Sequence, residues 1–167
     1  MDIIRVTNEH IEEIARIHIA SWRKAYVGIV SQSHLDSLSL EKRIAKLNRF
    51  LAENTFEAYT GLVDEQIVGF VSIGPAKEDD INAAAGELML IYLDPQFWSM
   101  GFGTKLANHA LDIFSDRGYN TAVLWAFEKN VRADGFYRSL GFAKDGKSVL
   151  LEKFDNAKSV RYIKRLI

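Results

Sequence analysis

The sequence predicts a mixed α/β fold, one domain in which a central, mostly antiparallel sheet of six to seven strands carries about four helices. Three observations predict it: the length, a hydrophobic period that switches between helix and strand along the chain, and the lack of any linker. At 167 residues, one domain is long enough to bury roughly two thirds of the surface its unfolded chain exposes. With 48% hydrophobic and 26% charged residues, the composition is that of an ordinary globular protein rather than a disordered or fibrous one. No stretch rich in Pro, Gly or Ser divides the chain, no period repeats, and the two prolines are Pro75 and Pro95.

Residues 2–6 read as a short strand, and Thr7 is placed to cap a helix in which Ile11, Ile14, Ala15 and His18 recur three and four apart. Ser39 opens a second helix, with Ile44, Leu47 and Leu51 on one face and Glu41, Lys42, Arg43 and Lys46 toward water. The stretch between, 21–38, is less periodic, carries Trp22, Tyr26 and Gly28, and reads as a loop with helical turns that faces a ligand.

From residue 56 the period becomes that of strands: 56–63, a turn at Asp64-Glu65-Gln66, and 67–73, together an antiparallel hairpin that Pro75 ends. A polar excursion over 77–82 leads to a strand over 87–93, apolar enough to lie centrally and stopped by Asp94-Pro95. Residues 103–117 place Leu106, Ala110, Ile113 and Phe114 at helical spacing and close on Gly118. A strand at Thr121–Phe127, a short helix at 130–140 closed by Gly141, and two strands near 149–154 and 159–166 complete the order β-α-α-β-β-β-α-β-α-β-β. The acidic group Glu78-Asp79-Asp80 reads as a solvated loop, and the basic tail of Lys158, Arg161, Lys164 and Arg165 as an exposed strand face.

A net charge of −1 supplies no basic field for a nucleic acid and favours a small-molecule partner. Cysteine is absent, which excludes disulfides, thiolate metal sites and a cysteine nucleophile. The four histidines, His10, His18, His34 and His109, show no metal-ligand spacing, so no metal is expected. The longest apolar run, 88–93, falls far short of the ~18 residues a spanning helix needs, so no membrane partner is expected. Residues 1–13 lack a basic segment leading into an apolar stretch, so no secretory signal is expected and the cytoplasm is the expected location.

The segment Trp98-Ser99-Met100-Gly101-Phe102-Gly103-Thr104 lies between a strand end and a helix start. There, N–H groups without intrahelical partners and the helix dipole favour a bound phosphate. Gly101 and Gly103 let the backbone come close to such a ligand, although a Gly-x-Gly pair alone also fits a tight turn that holds nothing. The surroundings add weight. Glu87 opens the strand that enters this turn, and Asn130 and Tyr137 stand seven apart after the next strand; at ~100° per residue, seven positions return to nearly the same helix face. All of these converge where the C-terminal ends of two neighbouring strands open. Each also has a plainer reading: Glu87 as a strand-start or ion-pair residue, Asn130 as a helix cap, Tyr137 as core, and Trp22 and Tyr26 as packing within the helical pair.

On these residues the sequence resembles the GCN5-related N-acetyltransferase (GNAT) superfamily, in particular its small bacterial-type members. That family binds acetyl-CoA on a turn of pattern Arg/Gln-x-x-Gly-x-Gly/Ala; Gly101 and Gly103 match, whereas Trp98 stands at the first position. Residues 128–142, with Asn130, Tyr137 and Leu-Gly-Phe at 140–142, resemble its second signature. The resemblance implies acetyl-CoA as co-substrate without a metal, its pyrophosphate cradled by the backbone of Ser99, Met100, Gly101, Phe102, Gly103 and Thr104. It implies a pantetheine arm paired with the strand edge at Ile91, Tyr92 and Leu93, and Asn130 hydrogen-bonding CoA or positioning the thioester. Tyr137 would be the general acid to the departing thiolate and Glu87 the base for the amine, directly or through water. Trp22, Tyr26 and Glu87 would line the acceptor pocket. The implied reaction is direct attack, in a ternary complex, by a primary amine of a small molecule or peptide, and family analogy implies a homodimer. A noncatalytic acyl-CoA-binding or sensing module on the same scaffold is the alternative. A Rossmann-type domain is disfavoured, because no Gly-x-Gly-x-x-Gly is present.

Overall fold

In the computed structural model, which describes residues 1–53, 57–81 and 84–166, the chain opens with β1 (Asp2–Arg5), α1 (Ile11–Ala25), a short α2 (Gln32–Asp36) and α3 (Leu40–Glu53). Next come β2 (Glu57–Val63), β3 (Gln66–Pro75), β4 (Ala85–Leu93), α4 (Phe102–Asp116) and β5 (Thr121–Phe127). The chain closes with α5 (Val131–Ser139), β6 (Ala143–Leu151) and β7 (Ala157–Arg165). This is the expected order with α2 added. Phe56, the expected start of the second strand, and Asn82, the end of the expected polar excursion, lie outside the described residues.

Helix α1 runs further than the pattern of its first half indicated. Ile17, His18, Ser21 and Trp22 extend the buried stripe begun by Ile11 and Ile14, so the face that packs on the sheet continues to Ala25. Its start is tied down where His10 Nδ1 accepts the Thr7 N–H at 3.0 Å. The hairpin between β2 and β3 turns on Asp64 and Glu65, at φ 48° and 65°; positive φ at both central residues gives the turn whose twist matches the flanking strands. Strand β6 begins earlier than expected. It is the outer strand of the sheet, exposed on nearly every residue, so its first half, Ala-Lys-Asp-Gly-Lys-Ser, carries no hydrophobic alternation to read.

The sheet has the order β1-β2-β3-β4-β5-β7-β6, and every neighbouring pair is antiparallel except β4 and β5, which run parallel. That parallel pairing is short. It joins Ala85, Gly86 and Glu87 to Thr121, Ala122 and Val123 and stops, after which β4 stays with β3 and β5 stays with β7. A bulge in β4 contributes to the separation: Ser72 faces Leu90 but Ile73 faces Leu88, leaving Met89 as the extra residue. An extra residue of this kind bends a strand and increases its twist. The two strands therefore diverge into a wedge toward their C-terminal ends.

Helices cover both faces. On one, Val6, Ile11, Ile14, Ile17, Leu47 and Phe70 form the core beneath α1 and α3; on the other, Val71, Leu88, Leu106, Phe114, Leu124 and Tyr162 form it beneath α4 and α5. No described helix is long and apolar enough to cross a membrane.

The charged segments differ from the sequence reading. Arg161 is only 4% exposed, and its guanidinium bonds Asp80 at 2.8 Å, Glu78 at 3.0 Å and Asp145 at 2.8 Å. Lys147 joins Glu78 and Asp80. Glu78 and Asp80 are thus anchored to β6 and β7, while Asp79 and Asp80 keep the solvent exposure expected of the loop. The reason is topological: β7 lies between β5 and β6, so a cation alternating with Val160 and Tyr162 points into protein and needs carboxylates around it.

Candidate active site

After β4, the Asp94 side chain accepts the Gln96 N–H at 2.9 Å and Pro95 starts a single 3₁₀ turn. Ser99 then takes φ 65° and Gly101 φ 83°, two left-handed residues that fold the chain back into the first turn of α4. The two glycines serve different ends. Gly101 supplies the left-handed cap, where a side chain would be strained. Gly103 permits close packing, since a Cβ there would stand 3.0 Å from Leu93 Cδ1 and 3.4 Å from Phe136.

The wedge and this turn enclose a cavity of about 400 Å³. Of the expected site residues, Ile91, Tyr92, Leu93, Ser99, Gly101, Gly103, Thr104, Asn130, Tyr137 and Tyr26 line it. Met100 is 59% exposed, and the Phe102 ring packs on Phe97; neither side chain is part of the lining. Trp22 is buried in an aromatic cluster, its ring 4.7 Å from that of Tyr26 and 5.3 Å from that of Phe154, again outside the lining. Glu87 is half-buried at the closed end of the wedge, beside Val123, and also stands apart from the lining.

The open edge of β4 follows from one hydrogen bond. The Asp94 N–H donates to Val68 on β3 at 2.9 Å, and successive strand residues point their backbone groups to opposite edges. The N–H and C=O of Leu93 and Ile91 therefore face the wedge. One is occupied: the Leu93 carbonyl accepts from Ser21 Oγ at 2.5 Å and from Trp98 Nε1 at 3.0 Å. Among the described residues, what is left along this edge is the Leu93 N–H and both groups of Ile91, an unpaired strip suited to an extended amide-bearing ligand.

Asn130 caps α5, its Oδ1 accepting the Ala133 N–H at 3.1 Å as the plain reading expected, and the residue also lines the cavity. Tyr137 is 8% exposed and packed against Phe136, Phe142 and Tyr162. Among the described residues no group hydrogen-bonds its hydroxyl. Burial first, then Tyr92 and Tyr162, push its pKa well above the phenol's usual 10, so it stays protonated. The Tyr92 hydroxyl, by contrast, is engaged by Trp22 Nε1 at 3.1 Å and the Tyr26 hydroxyl at 3.0 Å, while the buried His18 stacks on its ring at 4.4 Å. The Glu87 carboxyl is raised by burial first and by Glu78 second.

Sequence reasoning missed Ser21 and Arg132 as lining residues. Ser21 carried a signal as the first residue of the 21–38 stretch read as facing a ligand, but was not singled out. Arg132, an exposed residue in the first turn of α5, lay within the 128–142 signature but was given no role there.

The model of the Acetyltransferase (GNAT) family matches residues 12–142. An uncharacterized N-acetyltransferase of Bacillus subtilis is 29% identical over 124 residues, 73% of this chain and 69% of that protein. A spermidine N(1)-acetyltransferase of Thermoplasma acidophilum is 24% identical over 161 residues, 92% of this chain and 96% of that one. Among solved structures, the PaiA N-acetyltransferase of Thermoplasma acidophilum in complex with coenzyme A superposes with a TM-score of 0.77 at 22% identity, covering 99% of this chain and 98% of that one. Together with a cavity set between a glycine turn and a diverging parallel strand pair, the match over most of its length makes this chain a member of the GNAT acetyltransferase family, an acyltransferase that depends on acetyl-CoA.

Proposed function

We propose that the protein transfers the acetyl group of acetyl-CoA to a primary amine of a small molecule or peptide by direct attack in a ternary complex. The observation that carries this reading is one cavity in which the glycine turn, the unpaired edge of β4, Asn130 and an unengaged tyrosine hydroxyl meet. The residues fit the co-substrate. Backbone N–H groups of the first turn of α4 suit a pyrophosphate, and the strip at Ile91 and Leu93 suits the amides of a pantetheine arm.

The chemistry sets two proton requirements. A primary amine has a pKa of about 10 and must shed a proton before it attacks, while a thiolate leaving group, of thiol pKa about 8.5, departs more readily if protonated. In the proposed step the amine nitrogen bonds to the thioester carbon and the C–S bond breaks. The sulfur takes the Tyr137 proton, and the second proton that the nitrogen loses as the amide forms passes to solvent and restores the tyrosine. Glu87, directly or through water, takes the proton of the amine; a raised carboxyl pKa brings it nearer to that of the group it serves. The lack of any cysteine favours this single displacement over a cysteinyl acyl-enzyme. Most of the rate then comes from holding the two reactants in line.

The acceptor pocket is assigned to Tyr26 and the side of the wedge toward Glu87. Glu78 and Asp80 are engaged by Arg161 and Lys147, and Glu87, half-buried at the closed end of the wedge, is taken as the carboxylate for a cationic acceptor. The spermidine-acetylating relative puts polyamines first among candidates. The test is free-thiol release from acetyl-CoA against polyamines, amino acids, aminoglycosides and peptide N-termini. Stimulation by one of these classes is expected; binding of acetyl-CoA with no stimulation by any of them would favour the noncatalytic module.

A further inference from the structure

Trp98 occupies the place where the resembling family opens its turn with Arg or Gln, and its surroundings are charged. The Arg132 guanidinium carbon lies 4.3 Å from the centre of the Trp98 ring and the Lys24 ammonium 5.1 Å from it. Arg132 Nη2 also donates to Ser99 Oγ at 2.9 Å, and Trp98 Nε1 is anchored on the Leu93 carbonyl. One indole thus ties the edge of β4, the N-terminus of α5 and the end of α1 to the mouth of the cavity. Neither cation has a carboxylate partner among the described residues. Arg132, Trp98 and Ser99 all line the cavity beside Gly101.

We propose that Arg132, held against the face of Trp98, is the cationic contact for the pyrophosphate of acetyl-CoA, and that Trp98 is its positioning residue. The inference rests on the acetyl-CoA reading above and adds a side-chain charge to a turn that otherwise offers only backbone. A guanidinium keeps its donors in one plane, so with one N–H engaged by Ser99 the rest remain for two phosphate oxygens. Stacking on an aromatic ring holds that plane before the ligand arrives. Lys24 adds a second charge near the same ring without a planar donor set. The ligand's phosphates, rather than a carboxylate within the protein, complete the group.

Calorimetric titration of the full-length protein with CoA, dephospho-CoA and S-acetylpantetheine tests this. Arg132→Met is expected to weaken CoA and dephospho-CoA alike by about tenfold or more, the range of a charge-assisted hydrogen bond, and to leave S-acetylpantetheine, which has no phosphate, unchanged. Arg132→Lys should recover part of the loss. Trp98→Leu should weaken CoA as well, and adding Arg132→Met to it should cost less than in the wild-type background, because the two act as a unit. Because Arg132 is exposed, its variants are expected to keep the wild-type melting temperature. Equal CoA affinity in wild type and Arg132→Met would overturn the proposal while leaving the acetyl-CoA reading intact. A loss seen with CoA but not with dephospho-CoA would place the contact on the 3′-phosphate and overturn it too. Failure of the wild type to bind CoA would refute the underlying reading itself.

Discussion

The proposed acid, Tyr137, and the proposed base, Glu87, face opposite demands, and their surroundings separate them. The tyrosine is buried among aromatic rings, its hydroxyl unengaged among the described residues and its pKa raised, so it holds a proton at neutral pH. Tyr137→Phe should lower kcat by about 10²-fold or more, the usual worth of a placed acid, with CoA affinity near wild type; steady-state kinetics beside calorimetry reads both, and wild-type turnover would reject the acid role. Glu87 must be deprotonated to act. Because its carboxyl pKa is raised, kcat/KM should climb through an acid limb lying above the ordinary carboxylate range, and Glu87→Gln should remove that limb while leaving the rise due to the amine itself. A limb that persists in the variant assigns the base elsewhere. Asn130 and Tyr137 were legible in the sequence because seven helical positions return to one face. Arg161 was not: alternation within a strand reads the same whether the strand ends at solvent or under a loop, and only the β5-β7-β6 order decides which.

Among the elements, β4 carries the site, and its fit against α4 is tight. A Cβ on Gly86 would stand 2.5 Å from the Phe114 ring, at the one stretch where β4 and β5 still pair. Gly86→Ala should therefore destabilise the protein by about 1–3 kcal/mol, as overpacking does, seen as a lower urea midpoint. An unchanged midpoint would mean that the strand and helix shift apart at no cost. Elements with a buried face, such as α3, α4 and β5, were legible from periodicity to within a residue or two. The second half of α1 was obscured because its buried stripe contains His18, Ser21 and Trp22, residue types that do not mark a core. The edge strand β6 and the single turn of α2 have too few buried positions for any pattern.

For the molecule as a whole, function follows from one irregularity. A sheet of antiparallel neighbours contains a single parallel pair, which lasts three residues before a bulge helps part it, and the opening becomes the cavity. The sequence hinted at this in the apolar strand followed by a glycine turn, but the length of the β4–β5 pairing and the bulge at Met89 depend on tertiary register that no local pattern encodes. The claim that acetyl-CoA occupies this wedge is tested most directly by backbone hydrogen exchange with and without the ligand. Slower exchange is predicted in peptides covering 89–93 and 99–105, where Ile91, Leu93 and the first turn of α4 present unpaired N–H groups, with the outer strands at 2–5 and 143–151 unchanged. Unaltered exchange at β4 and the turn under saturating acetyl-CoA would contradict the account.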